Sequence, residues 1–200
     1  MVLVDGSGRE AHGRLERFSA RGADVLIEAV RTSDEGAAPR LRLLVASVRP
    51  ERLAWIAEKA TELGVAGIVL VESARTQRYR TSETSRARLE RVAREAAKQA
   101  ESARWPSIEG PASFSDVIAS ETARHRFLLD PDGEAFPGSL LPGDVSLIVG
   151  PEGGWTEEER GTASSSGWTP ASLPSGKVRT ETAAVAGLVL ARAALARIPH

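Results

Sequence analysis

The sequence predicts an α/β fold on a mostly parallel sheet, with a short separate β segment in front. Three observations carry this. Val65–Val71 (VAGIVLV) is a nearly continuous apolar run, the pattern of a strand covered on both faces. It follows a strand-like stretch and an amphipathic stretch in β-α-β order, which places the two strands parallel. A second run of the same kind, Val145–Val149, closes on a glycine-rich turn.

The elements follow in order. Val2-Leu3-Val4 before Asp5-Gly6-Ser7-Gly8, and Ala23–Val30 before the polar stretch Thr32–Pro39, are strand-and-turn signals. Two or three strands cannot bury a useful core. This segment therefore packs on something else or is the remnant of a larger β domain, joined by a linker through 33–39. Leu41–Val48 reads as the first strand of the main sheet. Pro50 suits a helix N1 position, and Leu53, Ile56, Ala57, Ala60 and Leu63 recur at helical spacing until Gly64. A second helix is expected over Glu83–Ala103, with Leu89, Val92, Ala93, Ala96, Ala97 and Ala100 on one side. Further strands are expected at His125–Leu129, Val145–Val149 and Pro170–Leu173, and a last apolar helix at Glu181–Ile198.

Composition removes several functions. The 200 residues contain no cysteine, which excludes a disulfide framework, a thiolate metal site and a cysteine nucleophile. His12, His125 and His200 are scattered, so no metal site is expected. No G-x-S-x-G elbow marks a serine hydrolase. There is neither a leader-like start nor a run of about 18 apolar residues, so a cytoplasmic protein without a membrane partner is expected.

The formal net charge of −1 hides an uneven distribution. Residues 75–104 carry 9 basic and 4 acidic groups, residues 105–200 carry 7 and 12. The basic block holds Arg75, Arg78, Arg80, Arg86, Arg88, Arg91, Arg94, Lys98 and Arg104. It is a candidate phosphate-facing surface. The alternative is a solvated helix face with pairs such as Glu90–Arg94.

Two segments can carry chemistry. In the first, strand 147–149 ends in Gly150-Pro151-Glu152-Gly153-Gly154, after which Thr156 caps a helix with Glu159 at the capping-box position. Glycines at a strand's carboxyl end let a ligand approach the backbone, where open α/β sheets place ligands. The spacing fits no phosphate loop, and the acidic run 157–159 would repel a pyrophosphate. A ligand with a positive or neutral reacting centre fits better; the alternative is a tight structural turn. In the second segment, Leu173–Ala184, Thr180 is a candidate N-cap and Glu181 suits the positive end of the helix dipole. Arg179 is a cation where the dipole disfavours one, which suggests a functional role or an ion pair to Glu152 or Glu181.

These segments resemble the RsmE family, bacterial 16S ribosomal RNA uridine N3-methyltransferases of the SPOUT superfamily. Lys59-Ala60-Thr61-Glu62-Leu63-Gly64-Val65 resembles the family's K-A-T-E-L-G-V. Glu95-Ala96-Ala97-Lys98-Gln99, with Arg104 and Pro106, resembles E-A-x-x-Q…R-x-P. Gly150–Gly154 resembles G-P-E-G-G, and Arg179–Ala183 resembles R-T-E-T-A. Four matches in order, over about residues 40–200, are together specific.

The resemblance implies a C-terminal deep trefoil knot, a homodimer, and S-adenosylmethionine as cofactor. The cofactor site it implies joins Leu129, the turn at Gly150, Glu152, Gly153 and Gly154, and the loop with Leu173, Val178, Thr180 and Thr182. Arg179 and Glu181 are then the candidate catalytic pair. The basic block, with Arg75, Arg78, Arg80, Arg86, Arg88, Arg91, Lys98 and Arg104, gains weight as a surface for 16S ribosomal RNA in the small subunit. Residues 1–38 resemble part of a PUA-like β-barrel domain whose first strands are missing, and 39–200 the methyltransferase domain. The knot loop departs from the family's pattern at Pro174 and Gly176. Alternative readings are another SPOUT RNA methyltransferase, acting on the ribose 2′-hydroxyl, and a catalytically silent RNA-binding or ribosome-assembly protein.

Overall fold

A computed structural model describes residues 1–32, 38–76 and 83–196. The N-terminal sheet is antiparallel, with β1 (Val2–Val4), β2 (Arg9–Ser19) and β3 (Gly22–Thr32) in that spatial order. Its hairpin stands in solvent on both faces, leaving Leu15, Phe18, Leu26, Ile27 and Val30 exposed. It meets the rest of the chain through the segment after α2, where the Gly8 N–H donates to the Ala103 carbonyl at 3.2 Å and Gly6 bridges to Arg104. Gly6 is at φ +84, and a Cβ there would come within 2.2 Å of the Trp105 ring. Only glycine fits this joint.

The main sheet has six strands, all parallel in their pairings, in the order β6-β5-β4-β8-β7-β9. These are β4 (Leu41–Ala46), β5 (Gly67–Glu72), β6 (Ser107–Ser113), β7 (His125–Ala135), β8 (Val145–Val149) and β9 (Thr169–Ser172). The predicted continuous burial holds. In β8, Val145, Leu147 and Val149 face one core while Ile148 faces the other. Helices α1 (Pro50–Glu62), α2 (Glu83–Gln99) and α5 (Thr180–Ala196) supply the first core, α3 (Phe114–Ser120) and α4 (Glu157–Ser165) the second. Each fully buried aliphatic side chain stabilises the body by roughly 1.5–3 kcal/mol. The link between β7 and β8 runs across the far end of α5, where the Leu140 N–H donates to the Ala194 carbonyl at 2.9 Å.

Several expectations need correcting. Helix α2 stops at Gln99 rather than Ala103. Glu101 takes φ 51, and Ser102 N–H returns to the Ala97 carbonyl at 2.9 Å, a left-handed helix stop on a residue other than glycine. Thr180 is the first helical residue and not the cap. The Ala183 N–H bonds the Arg179 carbonyl at 2.8 Å, so Arg179 holds the capping position and the Thr180 hydroxyl is free to act elsewhere. Strand β6 and helix α3 were not expected. Ser113 caps α3 by accepting from the Asp116 N–H at 3.1 Å, a short signal inside a sequence with little periodicity. Pro170 lies in β9, which tolerates it as an edge strand.

Candidate functional site

The carboxyl ends of β8 and β9 meet β7, at the point where its pairing with β8 stops, in one pocket. It is lined by Leu129 to Pro131, Val149 to Glu152, Gly154, Trp155 and Arg160, with Ala171, Leu173, Gly176 to Val178, Thr180 and Ala183. Of the sequence-predicted cofactor residues, Leu129, Gly150, Glu152, Gly154, Leu173, Val178 and Thr180 converge here. Gly153 faces a second cavity behind the turn, and Thr182 is exposed outside the pocket.

The turn after β8 is shaped from within. Trp155 is 2% exposed, and its indole N–H donates to the Leu129 carbonyl at 3.0 Å. Its ring lies so close beneath Gly150 that a Cβ there would approach it to 2.9 Å. The Thr180 hydroxyl donates to the Gly150 carbonyl at 3.0 Å, which ties the start of α5 to the turn. From outside, Arg75 Nη1 donates to the carbonyls of Gly153 at 2.8 Å and Trp155 at 3.3 Å. Thr156 and Glu159 form the predicted capping box. The other oxygen of Glu159 accepts from the Ala74 N–H at 2.8 Å, so one member of the acidic run serves the scaffold.

Two ion-pair systems flank the pocket. Asp130, 3% exposed, receives Arg160 Nε at 2.5 Å. Burial pushes this carboxyl up, but hydrogen bonds from Arg160 and the Asp132 amide, with the Arg160 charge, outweigh it and hold it below its ordinary value. Arg160 is raised in turn, mainly through its hydrogen bond to Asp130. In the second system, Arg52 of α1 pairs with both Glu152 and Glu181, its Nε lying 3.6 Å from Glu181 Oε1. Arg52, not Arg179, is thus the partner of both carboxylates. Glu181 Oε2 is buried with no hydrogen-bond partner among the described residues, an acceptor left open. Arg179 is exposed. Sequence reasoning missed Arg52, whose only signal was a basic residue in the first turn of a helix.

Among the described residues, the members of the basic block go to different places. Arg75 holds the turn, and Arg78 and Arg80 lie outside the described residues. On α2, Arg86 pairs with Glu90 at 3.5 Å, in place of the expected Glu90–Arg94 pair, and Lys98 pairs with Glu95 at 2.8 Å. Arg88 is exposed, while Arg91 lines a groove with Glu58, Glu62 and Glu95. Arg104 sits against Gly8 at the joint of the N-terminal sheet. Among the described residues no three His, Asp or Glu side chains gather as a metal site, and no helix is long and apolar enough to cross a membrane.

An RNA methyltransferase domain family matches residues 36–192. A Synechocystis protein named ribosomal RNA small subunit methyltransferase E is 28% identical over 202 residues, covering 97% of this chain. The chain spans 66% of that relative's length. A Legionella pneumophila protein, solved in complex with the bound cofactor SAM, is 27% identical with a TM-score of 0.83, covering 96% of this chain and 82% of that one. A Neisseria gonorrhoeae ribosomal RNA small subunit methyltransferase E, also solved with S-adenosyl methionine, superposes with a TM-score of 0.88 at 24% identity, covering 98% of this chain and 83% of that one. This last likeness concerns the fold.

Proposed function

Since the chain belongs to the RNA methyltransferase domain family, we propose that it transfers a methyl group from S-adenosylmethionine to N3 of a uridine in bacterial 16S ribosomal RNA. One observation carries the reading. The turn after β8 and the loop after β9 close an apolar pocket against β7, its wall including Thr180 and Ala183 on either side of Glu181, a half-buried carboxylate whose Oε2 has no hydrogen-bond partner among the described residues. The walls fit the cofactor: Leu129, Val149, Leu173, Val178 and Ala183 suit a flat adenine. When bound, S-adenosylmethionine supplies an electrophilic methyl group.

The chain's own residues supply the rest. Uracil N3 is a poor nucleophile until its proton leaves, so the site has to accept that proton and stabilise the anion. Glu181 takes or relays the proton through Oε2, while Arg52 holds Oε1 and fixes the carboxylate's direction. Arg179 donates to a uracil carbonyl oxygen where negative charge grows. RNA lies across the exposed arginines of α2, Arg86 and Arg88. Residues 1–38 act as a PUA-like segment beside the catalytic unit 39–200. A homodimer fits the exposed Trp55 and Val189 on the adjacent helices α1 and α5.

The test is methyl incorporation from labelled cofactor into small ribosomal subunits, with cofactor binding followed by calorimetry. Arg179→Ala is expected to bind cofactor normally and to lose about 10²–10³ in turnover, the usual cost of removing one donor to a developing oxyanion. Near-parental turnover would remove Arg179 from the mechanism.

A further inference from the structure

We propose that the cavity on the opposite side of the Gly150–Gly154 turn is a phosphate subsite for the RNA strand that carries the target uridine. The proposal rests on the reading of the chain as an RNA methyltransferase. The cavity, of about 150 Å³, is lined by Ser47, Arg49, Arg75, Pro151, Glu152 and Gly153. It lies between the carboxyl ends of β4 and β8, where the order of the parallel sheet reverses. That crevice is where open α/β sheets receive ligands. Pro151 and Glu152 also line the cofactor pocket, so one turn is a wall common to both.

Four features suit an anion. Ser47 is 4% exposed, and its hydroxyl is buried with no hydrogen-bond partner among the described residues. A buried hydroxyl without a partner is costly unless a ligand completes it. The 13-residue helix α1 starts at the same place. Its capping residue, Arg49, supplies no side-chain cap, and Pro50 holds the first helical position. The helix therefore presents backbone N–H groups and the positive end of its dipole. The Arg49 side chain is exposed and makes no hydrogen bond or ion pair with the described residues. Arg75 stands opposite, one nitrogen bound to the turn. The charges that oppose an anion are Glu51, in the first turn of α1, and Glu152, which Arg52 already pairs.

A planar, always charged guanidinium with a helix N-terminus and a hydroxyl matches phosphate geometry. The cofactor's carboxylate is the other anion near this turn, and the experiment separates the two. Affinity for small ribosomal subunits is measured across a salt titration for the parent chain, Arg49→Gln, Arg49→Lys and Ser47→Ala. Calorimetry with S-adenosylmethionine and thermal melts run alongside.

Arg49→Gln is expected to weaken RNA binding about tenfold and to make the slope of log K against log salt shallower by about 0.7. Ser47→Ala weakens it roughly two- to fivefold, Arg49→Lys falls between parent and Gln, and cofactor affinity stays within about twofold in all three. Unchanged RNA affinity and slope in Arg49→Gln would overturn the proposal. So would weakened cofactor binding with RNA binding intact, which would assign the cavity to the carboxylate. A parent chain that transfers no methyl group overturns the functional reading and this site with it, an outcome distinct from the other two.

Discussion

The two sheets of this molecule are built from similar apolar residues and end in opposite environments. Strand β8 is buried at every position, whereas β3 is exposed at all but Val25. The difference lies in what covers them. Five helices sandwich the parallel sheet, while among the described residues the antiparallel sheet meets the body near its base, at Gly6 to Gly8 against Ala103 to Trp105. Stability and the candidate chemistry therefore belong to the body, and the N-terminal sheet is an appendage whose order depends on one joint.

The largest test of this contrast is a pair of truncations. Leu147→Ala, at a fully buried position in the main sheet, is expected to destabilise the body by about 2–5 kcal/mol in urea unfolding. Phe18→Ala, at a side chain 78% exposed, should change it by less than about 0.5 kcal/mol. Comparable losses at both sites would show that the sheets form one cooperative core.

Next comes the joint. Gly6→Ala places a side chain at a left-handed conformation against Trp105, at a cost of about 1–3 kcal/mol. Hydrogen exchange should show protection lost over residues 9–32 and kept in β4 and β8. A loss shared by both sheets would break the comparison.

Within the body, Arg52→Ala removes the guanidinium that pairs with both Glu152 and Glu181. Calorimetry should show cofactor binding weaker by about 1–2 kcal/mol, a partial form of the loss seen when one member of a buried pair is removed. Adding Glu152→Gln should recover part of it. If the double variant is weaker by the sum of the singles, the two carboxylates do not share the guanidinium.

The smallest effect is acidic. Asp130 has its folded value held below the ordinary 3.8, so the stability it adds is present above that value and lost as pH falls through the folded one. Asp130→Asn should therefore flatten the acid limb of a stability–pH curve below about pH 4. An unchanged limb would mean that the Arg160 pair is not maintained in solution.

What could be read in advance was local. The apolar run of β8, Pro50 at the start of α1 and the Thr156–Glu159 capping box each depend on neighbours within a few residues, and all three are found as expected. The converging loops at Gly150 and Leu173–Thr180 were legible as motifs at strand ends. The hidden parts depend on distant partners. Arg52 meets Glu152 and Glu181, which lie a hundred or more positions further along the chain. Thr180 turned from cap to donor because the Gly150 carbonyl lay within reach. The basic block looked continuous in sequence, yet the fold sends Arg75 and Arg104 to different places. The unpartnered Ser47 hydroxyl leaves no trace in the sequence at all.

The central claim is that the pocket between β7 and the ends of β8 and β9 serves methylation of a uracil base. Nucleoside mass spectrometry of small-subunit ribosomal RNA, from cells lacking and then regaining this gene, tests it most directly. The account predicts that 3-methyluridine disappears with the gene and returns with it, but not with the Glu181→Gln variant. A ribose-methylated nucleoside in its place, or no change in any nucleoside, would contradict it.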